Sequence, residues 1–221
     1  GVEEADQAGL STIGFVTGRG KRAIADHFDI SYELEAEIKG SGKESLLTSI
    51  RDLIENNDFS FTRQNHMKGL GHAILSGRNL MGDDLCVAAE DGEGVLAQMV
   101  KIYEQFRCSV VAIQEVPADQ VHKYGVIAGE DMGNGLYRVT DMVEKPSQED
   151  APSNLAIIGR YILTPDIFDK IEKTEPGKNG EVQITDALMK QAQEGCVMAY
   201  KFRGKRFDCG SIEGFVEATN Y

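Results

Sequence analysis

The stretch from Val95 to Ile113 constrains the fold most, because a helical pattern leads directly into a buried strand. Its first part repeats apolar residues with the period of a helix, at Val95, Leu96, Met99, Val100, Tyr103 and Phe106. Its second part, residues 108–113, is apolar and rich in β-branched side chains, as in a strand buried on both faces. A helix followed by such a strand is typical of a crossover in a parallel sheet. The chain is therefore predicted to be an α/β protein.

Other segments fit the same class. Helical patterns occur at residues 2–9, 21–28, 32–38, 44–55 and 185–195, with further helices beginning near residues 71, 164 and 211. Strands are predicted at residues 11–17, 59–64, 155–163 and 196–202. Residues 124–128 and 136–140 flank an acidic, glycine-rich turn and are predicted to form a hairpin.

Length, charge and cysteine content narrow the class of protein. A chain of 221 residues with 41% hydrophobic content is long enough for one substantial domain. Its net charge of −13 argues against binding to nucleic acid or to an anionic membrane surface. The chain has neither an apolar run of the ~18 residues that span a bilayer nor a signal-peptide pattern at its start, which predicts a cytoplasmic protein. The spacing of Cys86, Cys108, Cys196 and Cys209 supports neither a disulfide framework nor a zinc site.

An acid and a base stand side by side at Glu144 and Lys145, where the second strand of the hairpin leads into Pro146. Side chains of a strand alternate between faces, so these two charges point apart unless the chain bends. Pro146 restricts Lys145 and supplies a reason to bend. Such a corner would direct both charges into one cleft. The alternative is that Glu144 and Lys145 form an incidental ion pair at a strand end that faces solvent. The Glu-Lys dipeptide, taken alone, favours this alternative.

A glycine-rich turn follows the strand that ends near Gln64. Gly69 and Gly71 would let backbone amides approach a planar or anionic ligand without interference from Cβ. The amide of Gln64 offers both a donor and an acceptor, which suits a uracil-like imide. A plain connecting turn is the alternative, and the turn lacks the spacing of a dinucleotide fingerprint.

Several further residues are candidates with an equally plain structural explanation. Gly125 would let a sugar ring lie against the backbone, although a glycine there also suits a β-bulge. Asp208, at a tight turn, would either join a Mg²⁺ shell or bind backbone amides. Residues 181–186 would touch a ligand or a neighbouring subunit, or simply begin a helix. The histidines (His27, His66, His72 and His122) show no catalytic order and are interpreted as structural.

Six segments, taken together and in order, resemble the bacterial UTP–glucose-1-phosphate uridylyltransferases. They are residues 68–73, 123–127, 143–146, 152–161, 181–186 and 207–210. The resemblance covers nearly the whole chain. It implies a Rossmann-like, three-layer nucleotidyltransferase fold with a mixed, mostly parallel central sheet. It also implies Mg²⁺ dependence, cytoplasmic location and a homodimer or homotetramer. The implied reaction converts UTP and glucose 1-phosphate to UDP-glucose and pyrophosphate.

The resemblance also assigns roles to residues. Lys145 is similar to the phosphate-binding, catalytic lysine. Gln64 and Gly71 resemble uracil contacts, with Gly69 in the same loop, and Gly125 and Glu144 resemble glucose contacts. The strand carrying Asn154 and Gly159 is expected to line the sugar pocket. Asp208 is similar to a metal-binding carboxylate, and Asp84 is a weaker candidate for the metal.

Two departures from the family pattern concern the nucleotide site. The family's first strand and its glycine-rich triphosphate loop have no counterpart here, and neither has a central apolar strand between Asp83 and Asp84. We therefore expect residues 1–221 to be one nucleotidyltransferase domain from which these segments have been omitted. Two alternatives remain: another sugar nucleotidyltransferase, such as a thymidylyltransferase, and an inactive module that binds sugar nucleotides.

Overall fold

The structure is a computed structural model that describes residues 1–42, 44–81, 86–89, 94–177 and 179–204, together with Val216. The strands are β1 (Thr12–Thr17), β2 (Asp58–Arg63), β3 (Cys86–Ala89), β4 (Ser109–Glu115), β5 (Gly125–Gly133), β6 (Leu136–Glu144), β7 (Leu155–Leu163) and β8 (Val197–Lys201). The helices are α1 (Val2–Gln7), α2 (Arg22–His27), α3 (Tyr32–Ile38), α4 (Ser45–Asn56), α5 (Gly69–Ser76), α6 (Arg78–Met81), α7 (Val95–Phe106), α8 (Ile167–Glu172) and α9 (Ile184–Glu194), and a 3₁₀ helix spans Ala118–Lys123. Among these helices, none combines the length and the apolar character needed to cross a membrane.

The predicted crossover is confirmed. β3 and β4 both pair antiparallel with β7, so they run in the same direction, and α7 connects them. The main sheet has the order β3-β7-β4-β8-β6-β5, and β5 also pairs with the start of β7. β4 and β8 pair in parallel, from Ser109 opposite Val197 to Ile113 opposite Lys201. β1 and β2 form a separate parallel pair.

The α/β class and the mixed sheet are thus confirmed, but neighbouring strands are less often parallel than the sequence suggests. Four of the six strands in the main sheet, β3, β4, β5 and β8, run the same way. β7 separates β3 from β4, and β6 separates β8 from β5, so most adjacent pairs in this sheet are antiparallel. The interleaving arises because β5 and β6 form a hairpin and because β7 runs back through the sheet.

Helices cover both faces of the main sheet and make three layers. On one face, Val111 and Ile113 of β4 share a core with residues of α8 and α9, including Phe168 and Leu188. On the other face, Val110 and Ala112 of β4 pack with α7, whose Leu96 and Met99 are fully buried. Burying apolar surface on both faces provides the main favourable free energy of such a fold.

An apolar cavity of about 690 Å³ lies beside β1. Its lining includes residues of α1 and α5 as well as β1, and it does not include Glu144 or Lys145. Among the described strands, β1 pairs only with β2. This cavity is therefore separate from the corner that the sequence singles out.

Candidate active site

The chain bends at Lys145, as the sequence predicts, and both charges lie on the same side of the corner. β6 ends at Glu144, and Lys145 has a φ of +45°. This left-handed conformation differs from the extended one that a residue before proline usually adopts. The N–H of Lys145 donates to the carbonyl of Tyr124 over 2.9 Å, which holds the bend. The Lys145 Nζ lies 3.8 Å from Oε1 of Glu144. The side chain of Glu144 is 23% exposed and that of Lys145 is 53% exposed.

Thr185 fixes the carboxylate of Glu144. Its Oγ1, in a buried side chain at the start of α9, donates to Oε2 of Glu144 over 3.1 Å. Gly125, paired with Glu144 across β5 and β6, leaves the room for this contact. A Cβ at Gly125 would lie 2.7 Å from Cγ2 of Thr185 and 3.0 Å from Oε2 of Glu144. The bulges in β5 fall at other positions, so a bulge does not explain this glycine.

Burial raises the pKa of the Glu144 carboxyl above its usual range. The hydrogen bond from Thr185 and the positive charge of Lys145 act in the opposite direction, whereas the charges of Asp186 and Glu181 raise the pKa further. The charged form of Glu144 is thus stabilised mainly by Thr185 and Lys145. Hydroxyl donors of a sugar would supply additional hydrogen bonds.

The glycine-rich turn packs tightly against the segment that precedes α9. The N–H of Gly71 donates to the carbonyl of Val182 over 3.0 Å, and the N–H of Val182 donates to the carbonyl of Lys68 over 2.8 Å. A Cβ at Gly71 would lie 2.7 Å from the carbonyl oxygen of Val182, and one at Gly69 would lie 2.9 Å from Cβ of Glu181. The glycines are thus required by packing. Because the N–H of Gly71 is already engaged, any contact of Gly71 with a base must use another atom.

Residues 181–185 join the two halves of the site. Val182 bonds to the glycine-rich turn and Thr185 bonds to Glu144. These two residues are three positions apart, which limits their separation to roughly 10 Å. The structure therefore brings the predicted uracil-binding turn and the predicted sugar-binding corner close together. Thr185 was not predicted individually, but it lies within residues 181–186, which were predicted either to touch a ligand or a neighbouring subunit or to begin a helix.

The remaining predicted residues are less closely connected to the corner. Asn154 is exposed, and its carbonyl accepts from the N–H of Val116 over 3.0 Å. Gly159 has a φ of +77° at an irregularity of β7 opposite Ala112, which is sufficient to explain a glycine there. Ile157 of the same strand has its Cδ1 3.3 Å from where a Cβ at Gly125 would lie. Its strand thus borders the corner.

Both predicted metal ligands, Asp84 and Asp208, lie outside the described residues. Within the described ranges, no group of three or more His, Cys, Asp or Glu side chains is arranged to hold a metal ion. Mg²⁺ therefore stays a prediction from the resemblance.

The chain matches the nucleotidyl transferase family over residues 38–221. A UTP–glucose-1-phosphate uridylyltransferase of Pseudomonas aeruginosa is 66% identical to it over 230 residues, which cover 100% of this chain and 82% of the relative. The crystal structure of an apo UDP-glucose pyrophosphorylase superimposes with a TM-score of 0.92 at 54% identity, covering 99% of this chain and 83% of that one. A UDP-glucose pyrophosphorylase complexed with UDP-glucose gives a TM-score of 0.89 at 52% identity, again covering 99% and 83%.

The alignment with the Pseudomonas relative is also informative in its length. It spans 230 residues, nine more than the 221 residues of the chain, so at least nine residues of the relative have no counterpart here. The omission expected between Asp83 and Asp84 stays a prediction.

Proposed function

Because the chain belongs to the nucleotidyl transferase family, we propose that it transfers a uridylyl group from UTP to glucose 1-phosphate, giving UDP-glucose and pyrophosphate. The observation that carries the proposal is the corner where Lys145 Nζ and Glu144 Oε1 lie 3.8 Å apart, beside the turn that holds Gln64. The 66% identity to a relative with this activity supports the same assignment.

In the proposed reaction, a phosphate oxygen of glucose 1-phosphate attacks the α-phosphorus of UTP in line, and pyrophosphate leaves from the opposite side. The protein contributes mainly position and charge. Lys145 places a compact positive charge near the reacting phosphates. Glu144, held by Thr185, accepts hydrogen bonds from glucose hydroxyls, and Gln64 recognises the uracil.

Mg²⁺, if Asp84 and Asp208 hold it as proposed, would offset the negative charge of the phosphates. Cytoplasmic location, which is expected from the sequence pattern and from the resemblance, and homo-oligomeric assembly, which is expected from the resemblance, stay predictions.

As the pH is lowered, the affinity for UDP-glucose should begin to fall at a higher pH than it would with a carboxylate of ordinary pKa at position 144. The raised pKa of Glu144 means that its charged form, which accepts the sugar hydroxyls, is lost at a higher pH. If only this form binds the sugar, the affinity falls by up to roughly tenfold per pH unit below that pKa. Calorimetric titrations with UDP-glucose between pH 8 and pH 5 measure this fall.

Two variants isolate the contribution of Glu144. Glu144→Gln does not titrate, so its weaker binding should lack this pH dependence. Thr185→Val removes a hydrogen bond that lowers the pKa of Glu144, so the loss of affinity should begin at a higher pH. Identical profiles for Glu144→Gln and the unaltered chain would contradict this role of Glu144.

The proposed function is tested by combining a binding and a turnover measurement. We expect calorimetry to show binding of UDP-glucose, and a coupled assay to show pyrophosphate release from UTP and glucose 1-phosphate. Binding without turnover would instead favour the sugar-nucleotide-binding module. Preference for dTTP over UTP in a competition assay would favour a thymidylyltransferase.

A further inference from the structure

The side-chain amide of Gln64 is held in one orientation by two acceptors. Its Nε2 lies 3.1 Å from the carbonyl oxygen of Gly69 and 2.9 Å from Nδ1 of His72. A carbonyl oxygen can only accept a hydrogen bond, so the amide nitrogen, and not the amide oxygen, must face the turn. The hydrogen bonds thus determine which end of the amide is the nitrogen and which is the oxygen.

The same contacts determine the tautomer of His72. A side-chain amide nitrogen has two N–H donors, and Gly69 takes one of them. The other reaches His72 only if Nδ1 is an acceptor, which places the ring proton on Nε2. His72 lies in α5, and its carbonyl accepts from Ser76 Oγ over 2.8 Å, so its backbone is fixed by the helix. The imidazole is therefore a fixed acceptor for Gln64.

We infer that His72 is a positioning residue that makes Gln64 present only its carbonyl oxygen to the nucleobase, and thereby selects uracil over cytosine. Both N–H donors of the amide are engaged, and within the described residues nothing donates to Oε1. Uracil carries an N–H at position 3, which this oxygen accepts. Cytosine carries a lone pair at the same position, which the oxygen repels. This inference rests on the proposed function, because it requires a pyrimidine nucleotide next to Gln64.

Loss of the acceptor at His72 should reduce this discrimination. Without it, the second N–H of Gln64 becomes available to the lone pair of cytosine, and rotation of the amide costs one hydrogen bond instead of two. His72→Phe keeps an aromatic ring without an acceptor. His72→Asn keeps an acceptor oxygen at the same branch of the side chain as Nδ1, so it serves as the matched conservative variant.

The test compares the dissociation constants of UDP-glucose and CDP-glucose by calorimetry. We expect the preference of the unaltered chain for UDP-glucose to fall about tenfold in His72→Phe, which corresponds to a free energy near that of one hydrogen bond. His72→Asn should retain most of the preference. In a Gln64→Ala background, where no amide remains to be oriented, adding His72→Phe should leave the preference unchanged.

Three outcomes would overturn the inference. The first is an unchanged preference in His72→Phe with both ligands bound more weakly, which would show a general structural role. The second is a loss in His72→Asn as large as in His72→Phe. The third is an equal effect of His72→Phe with and without Gln64.

Failure of the unaltered chain to bind UDP-glucose is a distinct result, since it removes the proposed function as well. Circular dichroism confirms that each variant is folded, and His72→Leu replaces His72→Phe if that variant is not.

Discussion

Replacing Lys145 with alanine should lower kcat/KM for pyrophosphate release by about 10²–10³-fold, which is the usual cost of removing one group that stabilises charge in a transition state. The ammonium group of Lys145 lies 3.8 Å from Oε1 of Glu144, and it is the positive charge that we propose acts on the two reacting phosphates. Removing it leaves their negative charge unbalanced at the moment of transfer. Steady-state kinetics at pH 8 measure the loss, since Lys145 also lowers the pKa of Glu144 and a higher pH keeps that carboxylate charged.

The fold should survive this change. The Lys145 side chain is 53% exposed, and an exposed ion pair of this kind contributes about 0–1 kcal/mol. The thermal midpoint should therefore move by no more than about 3 °C. Lys101→Ala is the matched control, because Lys101 is an exposed lysine of α7 and its loss changes the net charge equally. A Lys145→Ala variant as active as Lys101→Ala would remove Lys145 from the mechanism.

The parts of the fold that were predicted correctly depend on local sequence patterns. α7 and β4 follow from the periodicity of residues 95–113, and α9 follows from a pattern that ends at Gly195. Strand ends were less accurate: β5 and β6 extend to Gly133 and Glu144, beyond the predicted residues 128 and 140. β3 and the 3₁₀ helix, which lack a long periodic pattern, were not predicted at all. The predicted final helix lies outside the described residues, apart from Val216.

The candidate site was predictable only in part, for a related reason. A bend at Lys145 was predicted from its neighbour Pro146, but the left-handed conformation of Lys145 is not the extended one that a following proline favours. The support of the site depends on contacts between distant residues, which one sequence does not reveal. Thr185 reaches Glu144 across 41 positions, and the interpretation of His72 as structural overlooked its contact with Gln64. The close approach of Val182 explains Gly69 and Gly71 by packing, whereas the sequence suggested a ligand.

Replacing Glu4 with alanine should have the largest effect on stability, about 3–5 kcal/mol of the free energy of unfolding. Glu4 and Arg160 have side chains that are 3% and 2% exposed, and Arg160 Nη2 lies 3.2 Å from Oε2 of Glu4. The other carboxylate oxygen, Oε1, accepts from the N–H groups of Val95 and Leu96 over 2.9 and 3.0 Å. Glu4 therefore satisfies the first amides of α7, which Gly94 has no side chain to cap. The alanine variant leaves a buried positive charge unpaired and two amides without a partner.

Urea unfolding at pH 7 measures this loss, which is a large share of the ~5–15 kcal/mol that stabilises a typical domain. Glu3→Ala is the matched control, because Glu3 is the exposed neighbour in the same helix and its replacement should change the free energy of unfolding by less than about 0.5 kcal/mol. Adding Arg160→Met to Glu4→Ala should recover part of the loss, since it removes the unpaired charge and leaves an apolar side chain. A cost below about 1 kcal/mol for Glu4→Ala, or a further loss on adding Arg160→Met, would show that the unpaired charge is not the source of the destabilisation.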